Sequence, residues 1–265
     1  MTLKEIWIYP VKSLGGISLP SSRVLEKGLV NDRRFMLVDD ENNFMTQRDN
    51  PEMALFKVSL KEDSFLISFQ GETLILPIQP PESNELVDAV IWDDTVEVIL
   101  VGTQFDQWFS EMLGKKCRLV YFPETNSRPV DYNYAKNNEQ VSLADGYPFL
   151  IIGANSLQDL NDRLDIPLPM NRFRPNFVFS GGKPFEEDSW RNFSIGNNRF
   201  VGLKPCARCT ITTIDQNTAE KGVEPLATMA GFRKRDGKVL FGQNLVAVDH
   251  HEVKVGDEIK IESYQ

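Results

Sequence analysis

The chain has 265 residues, 41% of them hydrophobic and 25% charged, and a net charge of −9. That balance describes a globular protein with a full core, long enough for one large domain or two ordinary ones. It excludes non-specific nucleic-acid binding, which needs basic surface to displace counterions, and no apolar run approaches the roughly 18 residues of a membrane span.

The N-terminal stretch "MTLKEIWIYPVKSL" lacks a basic segment followed by a long apolar one, so no signal peptide is expected. With three cysteines, this places the chain in a reducing, cytoplasmic setting without a disulfide framework. "LKEIWIYPV" reads as a strand ended by Pro10. "RRFMLVDDENNFMTQR" reads as two runs joined by a hairpin at "DDENN", and "DSFLISFQGETLILP" as a hairpin with Gln70 and Gly71 at its turn. "DAVIWDDTVEVIL" repeats the pattern around Asp93 and Asp94. Closely spaced β-runs joined by polar turns predict a barrel or sandwich.

A helix follows. In "TQFDQWFSEMLG", residues Phe105, Trp108, Phe109, Met112 and Leu113 form one apolar stripe, with Thr103 as N-cap and Gly114 as stop. "YFPETNSRPVDYNYAKNNEQ" is polar and turn-rich, and a domain boundary is placed near residue 125. Beyond it "PFLIIG" reads as a buried strand and "NSLQDLNDRL" as a helix with Leu157, Leu160 and Leu164 inward. "NFVFSG", "NRFVGLK" and "TITTID" read as strands, "EPLATMAGFR" as a short helix, and "NLVAVD" and "VKVGDEIKIES" as closing strands.

"KPCARCTITTID" holds two of the three cysteines, Cys206 and Cys209, around Arg208. A structural zinc site wants four ligands. Cys117 stands alone, and the two histidines, His250 and His251, are neighbours expected on opposite faces of a strand. A redox dithiol sits at a helix N-terminus, whereas β-branched "TITTI" predicts a strand. Two cysteines opening a strand, one of them buried as a small hydrophobe, remains a third reading. Lys204 and Arg208 flank the pair, and nearby cations favour a thiolate. Further cations lie beside strands or glycine turns: Lys12, Arg33, Arg34, Arg48, Arg172 and Arg174. Scattered surface charge accounts for any one of them. Converging, they would make a basic pocket around one thiolate, suited to a phosphate-bearing cofactor whose metal takes one soft protein ligand.

The strings "IYPVKSLGG", "GLVNDRRFMLVD", "FRPNFVFSG", "KPCARCTITTID", "LFGQNLV" and "VKVGDEIKI", in this order over nearly the whole chain, resemble the MOSC proteins that carry an N-terminal MOSC β-barrel. That family includes the mitochondrial amidoxime-reducing component and its bacterial relatives. The resemblance implies a mainly β (α+β) fold. An N-terminal β-barrel-like domain with its covering helix (1–125) packs on a C-terminal MOSC β-barrel (126–265) with a few flanking helices. It implies a molybdenum cofactor, molybdenum on a molybdopterin, with Cys209 as thiolate ligand to the metal and Cys206 as packing or support. It also implies pterin contacts from Lys12, Ser13, Arg34, Arg174, Ala207 and Arg208, and pocket wall from Asp145, Gly146, Tyr147, Gln243 and Asn244. Asn244 stands where relatives can carry an aromatic residue.

The resulting expectation is an oxidoreductase that reduces N-hydroxylated or related N-oxygenated compounds. The sequence shows no membrane anchor, no cysteine-rich iron–sulfur domain and no aminotransferase-like domain, so a separate iron–sulfur, haem or flavin carrier is expected to deliver electrons. Asp145 is the one acid–base candidate, with a plain turn aspartate as its other reading. The rival expectation is a carrier or binding module, with a persulfide on Cys209 or a cofactor held for delivery.

Overall fold

Along Thr2–Ile8 the inward side chains are Leu3, Ile6 and Ile8, because a bulge between Leu3 and Glu5 shifts the alternation by one residue. The structure, a computed structural model, describes residues 1–80, 85–135 and 137–265. This first strand pairs antiparallel with Phe177–Ser180, deep in the second half of the chain. The sheet then runs through Phe149–Gly153, Lys238–Ala247, Asn198–Ala207, Trp190–Ile195 and Ile259–Tyr264. It returns to its start: Thr2 bridges Glu258, and the Leu3 amide donates to Asp257 at 2.9 Å. With the Ile259 amide donating to the Met1 carbonyl at 2.9 Å, these contacts close the ring at the start of its first strand.

The pairing of Phe149–Gly153 with Phe177–Ser180 is parallel, and helix α2 (Ala154–Asn161) lies in the crossover that such a pair requires. Inside the ring Phe149, Phe177, Phe193 and Phe200 pack in stacked and edge contacts 5.5–5.8 Å apart, with Trp190 on Phe179 and Phe193. Gly202 lets two strands meet closely, since a Cβ there would lie 2.1 Å from the Trp190 carbonyl oxygen.

The first half contributes a four-stranded sheet (Phe35–Val38, Arg118–Tyr121, Asp94–Leu100, Leu86–Ile91) and a three-stranded one (Lys57–Lys61, Ser64–Phe69, Glu72–Pro77). Helix α1 (Thr103–Leu113) lays Phe105, Phe109 and Leu113 on the core containing Phe35, Phe56, Phe65 and Phe69. The architecture is mainly β, with α1, α2 and α3 (Leu226–Ala230) as the α-helices among the described residues.

The hairpins at Gln70–Gly71 and at Asp93 form as expected, the second turning on Trp92 and Asp93. Gly114 ends α1 in the left-handed region at φ 61°. Gly102, not Thr103, is the N-cap. The "DDENN" turn closes a short hairpin, with a bridge from Phe44 to Val38, the Asp39 amide donating to the Asn43 carbonyl at 2.9 Å and the Met45 amide to the Leu37 carbonyl at 2.8 Å, while the longer ladder of Phe35–Val38 is with Arg118–Tyr121 and Asn43 also bridges Val90. His250 and His251 lie outside any strand. Among the described residues of the turn-rich stretch 122–140 there is no helix or strand; Lys136 lies outside the described residues.

"TITTID" is not a strand but a 3₁₀ turn, Thr210–Thr213. The Thr212 hydroxyl donates to the Cys209 carbonyl at 2.9 Å and the Thr213 hydroxyl to the Thr210 carbonyl at 2.8 Å. These threonine hydroxyls satisfy local carbonyls, so the turn overrides β-propensity.

Candidate functional site

Loops at one end of the ring converge on a cleft of about 300 Å³. Its wall takes Lys12 and Ser13 from the loop after the first strand, and Arg33 from the next turn. Ala144–Tyr147 precede the strand Phe149–Gly153, and Phe173, Arg174 and Asn176 precede Phe177–Ser180. Lys204 and Cys206 to Cys209 follow from the end of Asn198–Ala207 and the residues after it, and Asn244 from the strand beside it.

Buried Asp32 knits two of these loops together. It accepts from the Tyr9 amide at 2.8 Å, the Asn176 side chain at 3.1 Å and Arg33 at 2.5 Å. Arg33 and Arg174 place their guanidinium carbons 4.5 and 4.2 Å from the Tyr9 ring centroid, both within cation–π range. Arg174 also donates to the Leu14 carbonyl at 2.8 Å. Ser13, Arg33 and Arg174 hold φ values of 69°, 51° and 53°. Backbone strain of this kind at non-glycine residues persists where the surroundings over-determine it, and it gathers at functional sites.

The electrostatics are one-sided. Lys12, Arg33, Arg174, Lys204 and Arg208 line the cleft against one carboxylate, Asp145, in a chain of net charge −9. Burial pushes the Lys12 ammonium down to about 8 against the pull of Asp145. Burial likewise lowers Arg174 to about 10 and raises the Tyr9 hydroxyl to about 12. Burial acts to raise Asp145, but the charges of Lys12 and Arg48 outweigh it and hold its carboxyl below the usual range. Its Oδ1 accepts from Lys12 at 2.5 Å and its Oδ2 from Arg48 at 3.1 Å.

The two cysteines differ. Cys206 Sγ accepts from Arg208 Nη1 at 3.1 Å, and Arg208 Nη2 donates to the Phe173 carbonyl at 2.7 Å. Arg208 Nε is buried without a partner. Cys209 caps the 3₁₀ turn with extended backbone, lines the cleft, and its sulfur has no hydrogen bond among the described residues. No group of three or more His, Cys, Asp or Glu among the described residues forms a metal cage. The donor set therefore fits a metal that brings most of its own ligands and takes one thiolate, and the orphaned Arg208 donor and cation excess fit an anionic carrier of that metal.

The cleft gathers Lys12, Ser13, Asp145, Gly146, Tyr147, Arg174, Ala207, Arg208, Cys209 and Asn244. It leaves out Arg34, which is buried and paired with Glu124, while its neighbour Arg33 faces the cleft. It also leaves out Gln243. Successive residues of a strand face opposite ways, so Asn244 meets the cleft while Gln243 is buried beneath it, its amide reaching the Trp190 carbonyl. Sequence reasoning missed Asn176, Phe173 and Ile211 in the wall. The Asp32–Arg33 adjacency was the available signal for the arginine that turns inward.

Residues 1–116 match the MOSC N-terminal beta barrel domain, and residues 138–260 match the MOSC domain. Mitochondrial amidoxime-reducing component 1 of Mus musculus is 32% identical over 277 residues, which cover 97% of this chain and 81% of that protein. Molybdenum cofactor sulfurase of Arabidopsis thaliana is 31% identical over 287 residues, covering 97% of this chain and 35% of that protein. Among solved structures, the YUAD protein from Bacillus subtilis aligns over 100% of this chain and 98% of its own at 13% identity and a TM-score of 0.46.

Proposed function

The chain belongs to the MOSC family, and on that premise we propose that it holds a molybdenum cofactor in the cleft and reduces N-hydroxylated compounds with electrons from a separate redox protein. The observation that carries this reading is the pairing of one unpartnered thiol, Cys209, with a wall of cations in an acidic protein. Cys209 is the metal's protein ligand. Lys12, Arg33, Arg174 and Arg208 neutralise the cofactor's anionic groups, two of those guanidinium groups being held on the Tyr9 ring. When bound, the cofactor supplies two-electron oxygen-atom transfer, which side chains alone do not provide.

Asp145 is not the acid–base group of this reading. Two cations hold it ionised. Burial brings Lys12 down to about 8, which lets it exchange a proton near neutral pH. The division of the chain into 1–125 and 126–265 belongs to the same proposal, with Thr2–Ile8 lent to the second unit's ring.

No helix among the described residues is long and apolar enough to cross a membrane. The test is an assay of the cofactor-loaded protein with an N-hydroxylated purine and a chemical reductant. Turnover that tracks molybdenum content supports the reading. Loaded protein that transfers its cofactor to a recipient enzyme, without reducing any N-hydroxylated compound, replaces it with the carrier.

A further inference from the structure

The string "RKRDGK", residues 233–238, lies outside the cleft wall. It folds as a tight hairpin in which Lys234–Arg235 pairs with the start of Lys238–Ala247. Asp236 and Gly237 make its turn at φ 47° and 75°, the left-handed pair that an Asp-Gly dipeptide supplies to a two-residue loop. The root is fixed. Arg233 is buried, donates to the Leu240 carbonyl at 3.0 Å and to Asp188 at 2.5 Å, and lies 4.2 Å from the Phe185 ring centroid. The rest is open. Lys234, Arg235 and Lys238 are exposed, and none has an ion-pair partner among the described residues. Asp236 is the single carboxylate between them.

This hairpin continues the ring past the thiol. Ala207 pairs with Leu240, and the Arg208 amide donates to the Val239 carbonyl at 2.8 Å. Arg208 is the neighbour of Cys209 in the chain, and Val239 the neighbour of Lys238. Two extended residues, roughly 7 Å, separate Val239 from the turn. The three free cations therefore stand at the cleft's end of the ring, beside the backbone that carries Cys209.

We infer that the hairpin 234–238 is the docking surface for the electron carrier, a protein with an acidic face around its redox group. The inference rests on the reductase reading of the cleft. Reduction of one N–OH group takes two electrons and two protons, and yields N–H and water. A one-electron carrier must therefore dock and leave twice per turnover. Exposed ion pairs suit this, because they speed encounter and are individually weak. Charge selects the occupant. An extended polyanion, nucleic acid or an anionic membrane, meets the repulsion of a chain of net charge −9, whereas a small acidic patch meets the three cations alone.

The test measures the oxidation of pre-reduced plant-type ferredoxin, an acidic one-electron iron–sulfur protein, by cofactor-loaded protein and an N-hydroxylated purine. The same turnover is run with dithionite in place of the ferredoxin. Lys234→Glu, Arg235→Glu and Lys238→Glu combined are expected to lower kcat/KM for ferredoxin about tenfold or more at low salt, and to leave the dithionite rate unchanged. Asp236→Asn, which keeps a turn-forming residue and removes the anion, is expected to raise kcat/KM for ferredoxin several-fold. Added salt should erase both differences. Ferredoxin rates equal in wild type and both variants overturn the inference. So does a wild-type protein that ferredoxin neither reduces nor binds at low salt. Where the triple variant loses both activities, Asp236→Asn decides, and an unchanged ferredoxin rate overturns the inference. Phosphatidylserine vesicles that bind wild type but not the triple variant, where ferredoxin does not bind, replace the carrier with a membrane. Turnover with both reductants that ignores the hairpin's charge removes the docking surface and keeps the reductase. Hairpin amide resonances that shift with oxidised ferredoxin, in loaded protein that turns nothing over with dithionite, keep the surface for an acidic protein and remove the reductase reading.

Discussion

The guanidinium of Arg208 donates to the Sγ of Cys206 at 3.1 Å, while Cys209, three residues further on, lines the cleft with a sulfur that has no hydrogen bond among the described residues. The two thiols are chemically unequal although their spacing is that of a zinc or dithiol pair. Cys206→Ser should keep the fold and much of the turnover, since a hydroxyl also accepts from Arg208. Cys209→Ser should keep the fold and lose turnover, because a neutral hydroxyl does not replace a soft thiolate. Parallel reductase rates decide it. Equal losses in both variants point to a site that uses both sulfurs.

Lys12 supplies a pH dependence. Its folded-state value lies at about 8, below the ordinary 10.5, so the cleft loses a cation as pH rises through 8. Sulfate, which does not titrate in this range, should bind cofactor-free protein several-fold more weakly at pH 9 than at pH 7. The drop should shrink sharply in Lys12→Met. It should move to lower pH in Asp145→Asn, which removes the carboxylate that favours the charged lysine. Calorimetric titration at the two pH values measures this, and a flat profile in the wild type sinks it.

Glu187 is fully buried and accepts from the Gly153 amide at 3.0 Å and the Ser156 hydroxyl at 2.9 Å. Burial raises its carboxyl from 4.5 to about 7. The folded state then binds more protons than the unfolded state between those values, so stability falls as pH rises from about 4.5 through 7. The cost at pH 8 is on the order of 3 kcal/mol. Glu187→Gln should therefore unfold at higher urea than wild type at pH 8 and lose that advantage at pH 5. Equal midpoints at pH 8 contradict it.

Gly202→Ala should cost about 1–3 kcal/mol or more, because the new methyl meets a backbone carbonyl and not the end of a flexible side chain. A urea midpoint unchanged from wild type would show that the Trp190–Ile195 and Asn198–Ala207 strands part easily.

Local signals in the sequence carried far where the structure is local. The alternation around Gly71 and the stripe of Phe105, Phe109 and Leu113 specify their hairpin and helix with little help from elsewhere. The ring's closure through Thr2 and Glu258 was not legible, because no short-range pattern reports a pairing across nearly the whole chain. At the site, neighbours proved hard to separate. Whether Arg33 or Arg34 faces the cleft is settled by Asp32 and a left-handed residue, and whether Gln243 or Asn244 does is settled by strand phase. The turn after Cys209 was hidden for another reason: its threonines have strand propensity, yet their hydroxyls bond backwards onto carbonyls.

The central claim, that Cys209 holds molybdenum on a pterin in this cleft, is tested most directly by metal and pterin analysis of protein purified from a host that makes the cofactor. Wild-type protein should carry molybdenum and pterin in equal amounts, approaching one of each per chain, and Cys209→Ser prepared alongside should carry far less molybdenum. Wild-type protein free of molybdenum from a host that loads other molybdenum enzymes, or a Cys209→Ser protein with undiminished metal, would contradict the account.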